Sequence, residues 1–126
     1  MAFVKLFPPE TRDAWPVAEV IRQLEEEFAV VDADPDKGED LVADMIAAIL
    51  GFSDEMPGKQ ERLSRLRSAQ HAAVYVSFGD DLGTMAGCCV MPDTELFFGY
   101  PDEVDGPARP LVERAASALG YTVYEG

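Results

Sequence analysis

Residues 71–100 read HAAVYVSFGDDLGTMAGCCVMPDTELFFGY, and the fold turns on how this stretch alternates. Val74, Val76 and Phe78 alternate with Ala73, Tyr75 and Ser77, the two-residue period of a β-strand. Gly79-Asp-Asp-Leu-Gly83 reads as a turn, Thr84 to Met91 as a second strand, Pro92-Asp-Thr as another turn and Glu95 to Tyr100 as a third strand. Three strands joined by short polar turns predict an antiparallel meander. Val74, Val76 and Phe78, with Leu96, Phe98 and Tyr100, make one apolar face. The other face holds Tyr75, Ser77, Phe97 and one of Tyr121 or Tyr124, which is more apolar than a wetted sheet face should be. Helices, a partner or a small-molecule pocket must account for it.

The two cysteines are the neighbours Cys88 and Cys89, inside the second strand of this meander. Successive strand side chains leave on opposite faces, so the two thiols should point apart. Adjacent Cα atoms lie about 3.8 Å apart, under the usual disulfide span of about 4.4–6.8 Å. The pair is expected to be reduced and to pack as small apolar residues.

Working outward, Phe3 to Phe7 reads as a first strand ended by Pro8-Pro9. Val17, Val20, Ile21, Leu24 and Phe28 form one helical stripe, with Asp13 as its cap and Pro16 in its first turn. Phe28 to Ala33 follows as a second strand, and Asp34 to Asp40 as a turn. Leu41, Val42, Met45, Ile46, Ile49 and Leu50 mark a second helix stopped at Gly51. A third helix spans about Lys59 to Gln70 with Leu63 and Leu66 inward. After an acidic loop, Pro101 to Pro107, a last helix runs through Leu111, Val112, Ala115, Ala116 and Leu119 to Gly120, and Tyr121 to Glu125 closes the chain as a strand. The order is βαβααβββαβ, which predicts a single α+β domain over residues 1–126 with a mixed or antiparallel sheet packed against helices. Its specific form is a ferredoxin-like split β-α-β core with an inserted helical pair at residues 34–70.

A chain of 126 residues with 48% hydrophobic and 27% charged residues has the balance of one globular domain. Its net charge of −14 argues against gripping nucleic-acid phosphates or an anionic membrane. The longest apolar run, Met45 to Phe52, falls far short of the roughly 18 residues of a membrane span, and the N-terminal apolar run is too short for a signal peptide, so a cytoplasmic location is expected. Charge is uneven: residues 1–56 carry a net −10, residues 57–78 a net +3 and residues 79–126 a net −7. Lys59, Arg62, Arg65 and Arg67 share one helix, where Glu61 can pair with Arg65.

Few constellations suggest chemistry. Asp32, Asp34 and Asp36, with Asp40 beyond, resemble the opening of a calcium loop, but the glycine is misplaced and Ala43 stands where a bidentate carboxylate is needed. The competing account is that Asp34, Asp36 and Glu39 crowd a helix start, where acids suit unpaired N–H groups. Gly79, Gly83 and Gly87 fit no phosphate-binding spacing. His71 is the only histidine, too few for a histidine-rich zinc site, and no serine sits in a nucleophile elbow.

The leading expectation is therefore a small acidic, non-catalytic protein-binding module of inhibitor, immunity or regulatory type. It needs no cofactor and takes a protein partner, a basic one or a second copy in a homodimer. Its contacts are expected at Tyr75, Phe97, Asp102, Glu103 and Asp105. A second reading is a ligand-binding or enzymatic domain with a pocket between sheet and inserted helices, where Arg62 or Arg65 anchors an anion beside His71. A third is a divalent-cation site at Asp32, Asp34 and Asp36.

Overall fold

The computed structural model describes residues 4–10, 15–92, 96–99 and 106–125. Its strands are β1 (Val4–Phe7), β2 (Val30–Asp34), β3 (Val74–Asp81), β4 (Thr84–Val90), β5 (Leu96–Gly99) and β6 (Thr122–Glu125). Its helices are α1 (Val17–Glu27), α2 (Pro35–Leu50), α3 (Lys59–Ala69) and α4 (Arg109–Leu119), so the chain is α+β. One sheet holds the six strands in the order β2-β3-β4-β5-β1-β6, and every neighbouring pair is antiparallel.

This order departs from the ferredoxin-like form. The crossover β5-α4-β6 does split around one strand, β1, but β1 and β2 are separated by three strands where that core has one. The cause is local pairing: β2, β3 and β4 each pair with the next strand in sequence, so α1 must carry the chain across the whole meander.

Both sheet faces carry helices. On one, Val4, Leu6, Val76, Phe78, Cys88, Val90, Leu96 and Phe98 meet Val20 and Leu24 of α1 and Leu111, Val112, Ala115 and Leu119 of α4. Burying each such Val or Leu contributes about 1.5–3 kcal/mol. On the other, Val42, Ile46 and Ile49 of α2 and Leu63, Leu66 and Ala69 of α3 close over Ala73, Cys89 and Met91. The strand period divides the cysteines as expected. Cys88 is 0% exposed in the first core and Cys89 1% exposed in the second.

Several boundaries differ from the expected ones for identifiable reasons. Pro16 is the N-cap residue of α1, outside its first turn, while Asp13 lies outside the described residues. Phe28 ends α1 and packs its ring, tilted, against Phe78 at 4.7 Å between ring centroids, so β2 begins only at Val30. The 34–40 stretch is already helix: the Asp34 carboxylate accepts from the Lys37 N–H at 3.0 Å, and Pro35 begins α2. β3 runs on through Gly79 to Asp81, leaving Leu82-Gly83 as the connection. There the Asp81 carboxylate accepts from the N–H groups of Gly83 and Thr84, at 2.8 and 3.0 Å. At the end of α4, Gly120 takes φ 69° and lets the Tyr121 N–H donate to the Ala116 carbonyl at 2.9 Å.

The second helical layer sits close because Gly38 has no side chain. A Cβ there would lie 2.6 Å from both the Ala73 carbonyl oxygen and the Val74 Cα. Gly38→Ala is expected to lower stability by about 1–3 kcal/mol through overpacking, read as the shift of a urea denaturation midpoint. An unchanged midpoint would show that α2 does not press on β3.

Candidate interaction surface

The register places one residue from each strand in a row across the second sheet face. Asp34 lies opposite Tyr75, Tyr75 opposite Cys89, Cys89 opposite Phe97, Phe97 opposite Lys5, and Lys5 opposite Tyr124. Tyr124 is thus the tyrosine of this face, while Tyr121 is buried in the first core. Helices α2 and α3 cover the row at Cys89. At its β1–β6 end Phe7 is 37% and Tyr124 49% exposed, their rings edge to face at 5.6 Å.

Tyr75, expected as a partner contact, is half-buried within the fold. A Cβ on Gly87 would overlap its hydroxyl, so the phenol lies across Gly87 where only glycine leaves room. Lys37 Nζ stands 4.0 Å from the ring centroid, a cation–π contact that ties α2 to β3. The Phe97 backbone pairs with Lys5 and Cys89, and its side chain lies outside what the structure describes, as do Asp102, Glu103 and Asp105.

The three aspartates expected to hold a cation do not converge. Asp34 turns its carboxylate to cap α2, Asp36 belongs to the helix's first turn, and Asp32 is exposed on β2. Among the described residues no three His, Cys, Asp or Glu side chains come together to hold a metal ion. What α2 presents instead is a ridge. Asp36, Asp40 and Asp44 recur at i, i+4 and i+8, all exposed, opposite the buried positions Gly38, Val42, Ile46 and Ile49. Like charges at this spacing repel by about 0.2–0.5 kcal/mol per pair, and no cation pairs with these three among the described residues.

Arg62 and Arg65 of the alternative site are exposed on α3, and Arg65 reaches back to Glu61 at 3.6 Å, the i, i+4 pair expected from the sequence. His71 sits in the 3-10 turn Gln70–Ala72 with its side chain 80% exposed, its Nδ1 3.3 Å from a Glu39 carboxylate oxygen. The thiols are poor nucleophiles. Burial pushes Cys89 up to about 11, and burial together with the neighbouring Cys89 pushes Cys88 further above the ordinary thiol range.

Sequence reading missed three placements. Lys59 shares α3 with three exposed arginines but is itself 6% exposed, donating to the Phe52 carbonyl at 2.8 Å and the Asp54 carboxylate at 3.0 Å. Its place directly after Gly58, at the helix start, is the only hint that it turns back on the loop. Trp15 docks on the far end of the chain, its backbone N–H donating to the Tyr121 hydroxyl at 2.8 Å and its indole to the Leu119 carbonyl at 3.3 Å. Arg114 ties α4 to β3 and to the end of α1, with Nη1 2.6 Å from Asp80, Nε 3.2 Å from Glu27, and the guanidinium carbon 4.6 Å from the Phe28 ring centroid. These long-range pairs leave no local pattern.

No helix among the described residues is long and apolar enough to cross a membrane. Compared with protein-family models, curated proteins and solved structures, the chain matches none.

The Arg114 hydrogen bond holds the Asp80 carboxyl below its ordinary value of 3.8. A carboxyl depressed in the folded state adds stability above its unfolded pKa and loses it as pH falls through the folded one. Asp80→Asn is therefore expected to lower the melting temperature at neutral pH and to approach the wild type as the pH drops below 3.8. A difference that stays constant down to pH 2, well under the ordinary carboxyl range, would contradict the pairing.

Proposed function

We propose that this chain is a small, non-catalytic protein-binding module of inhibitor, immunity or regulatory type, and that it meets a basic partner through the acidic ridge of α2. The observation that carries this reading is the exposed series Asp36, Asp40 and Asp44, with Asp32 just ahead of it on β2. The arginines do not spread evenly over the acidic surface. Arg22, Arg109 and Arg114 are bound to nearby carboxylates, and Arg62, Arg65 and Arg67 stand together on α3. The ridge keeps its charge, and a net −14 raises the encounter rate with a basic surface by roughly 10- to 1,000-fold at low salt. Apolar faces packed beneath it hold the helix rigid, so binding orders little new backbone.

The reading accords with the state of the reactive groups. Both thiols are sealed in cores, and the lone histidine stands in solvent beside one glutamate. The basic face of α3, from which an anion pocket would be built, opens outward at Arg62 and Arg65.

Photo-crosslinking in cells from position 40 is the test, because it records the neighbour of the ridge directly. One discrete adduct is expected, absent when the crosslinker stands at exposed position 62 and lost when Asp36 and Asp44 are changed to Lys. Because all these positions are exposed, far-UV circular dichroism should stay unchanged. No adduct above the position-62 control, or an adduct indifferent to the charge reversal, would contradict the proposal.

A further inference from the structure

Strand β2 stands at one end of the sheet order and pairs with β3 over five consecutive residues, Val30 to Asp34, with no bulge to bend it away. At mid-strand Asp32 and Ala33 are exposed, although their partners across the pair are the half-buried Ser77 and the buried Val76. The strand period puts Asp32 and Asp34 on the second sheet face, under α2, and Val31 and Ala33 on the first, where Val31 packs against the core. Ala33 carries only a methyl group, so the main chain beside it lies within reach. The chain passes from Asp34 straight into α2, which puts Asp36 two residues beyond the strand and Asp40 about one helical turn further. One side of this edge offers carboxylates, the other a valine and an alanine.

The geometry points to an extended basic segment as what the ridge binds, added to β2 as a further strand with lysines or arginines on one side and apolar residues on the other. This rests on the function proposed above and names the form of the partner. Strand addition draws affinity from main-chain hydrogen bonds, while alternate side chains set specificity. Basic side chains on the second face come beside Asp32 and continue toward Asp36 and Asp40, and the apolar ones between them lie beside Val31 and Ala33. Charge decides against other occupants. A second copy pairing β2 with β2 would set Asp32 and Asp34 against themselves or each other, and like charges directly opposite are destabilising. An acidic strand is repelled, since charged side chains are a common guard of a sheet edge. For a basic strand the same carboxylates attract, and the guard becomes a means of selection.

A seven-residue peptide of alternating lysine and valine, blocked at both ends, tests this against the full isotope-labelled chain by NMR. At low salt it is expected to bind and to slow hydrogen exchange at those β2 amides that do not face β3. The same peptide N-methylated at every amide keeps its charge but donates no hydrogen bond, and should bind about tenfold more weakly or worse. Asp32→Lys, at an exposed position, should weaken the parent peptide to a similar degree; if that variant alters the circular dichroism spectrum, the methylated peptide on the wild type decides. Binding of the methylated peptide within about twofold of the parent, or no slowing of exchange in β2, overturns the added strand. If such methylation-indifferent binding is still lost when Asp36 and Asp44 are changed to Lys, the ridge stands and only the strand falls. Slowed exchange in β2 that ignores those two reversals keeps the strand and removes the ridge from the contact.

Discussion

Successive side chains of a strand must leave on opposite faces, and at Cys88 and Cys89 this constraint divides the molecule. One thiol belongs to the core under α1 and α4, the next to the core under α2 and α3. β4 lies within the sheet, flanked by β3 and β5, so both helical layers hang on the same few residues of backbone. A one-residue slip in its register would exchange the two faces and place Gly87 and Cys89 where the first core needs Ala86, Cys88 and Val90. The close seat of Gly38 on Ala73 and the cover of Tyr75 over Gly87 both presuppose that register.

The second layer also shapes the surface. Because α2 turns Val42, Ile46 and Ile49 inward, its opposite side is free to carry Asp36, Asp40 and Asp44 without any of them meeting the core. Because α2 and α3 stop at the β3–β4 region, the β1–β6 end of the same face keeps its aromatic pair in partial contact with water. A charged ridge and a half-exposed aromatic pair thus arise from one asymmetry in how the helices lie on the sheet.

Much of this was legible in residue order. Periods of 3.6 and 2 located the four helices among the described residues and the meander, and the adjacency of the cysteines put them on opposite faces. The acidic run from Asp32 to Asp40 contained both the cation-loop and the helix-start readings, and the cap on Lys37 decides for the second. Strand order was hidden because the pairing of β1 with β5 and β6 joins segments some ninety or more residues apart, and no local pattern records it. The same distance hid Trp15 on Tyr121 and Arg114 on Asp80 and Glu27. Lys59 was misread because a lysine's burial depends on a carbonyl that the loop brings to it, here that of Phe52.

Thiol reactivity tests the division of the cores most directly. With Cys88→Ser and Cys89→Ser variants, each remaining thiol can be followed separately with a thiol-reactive reagent under increasing denaturant. Both thiols should be silent in native buffer. Cys89 should become reactive at the lower denaturant concentration, because the α2–α3 layer is the smaller core, and Cys88 only with global unfolding. Either thiol reacting in native buffer at the rate of a free cysteine would contradict a sheet buried on both faces.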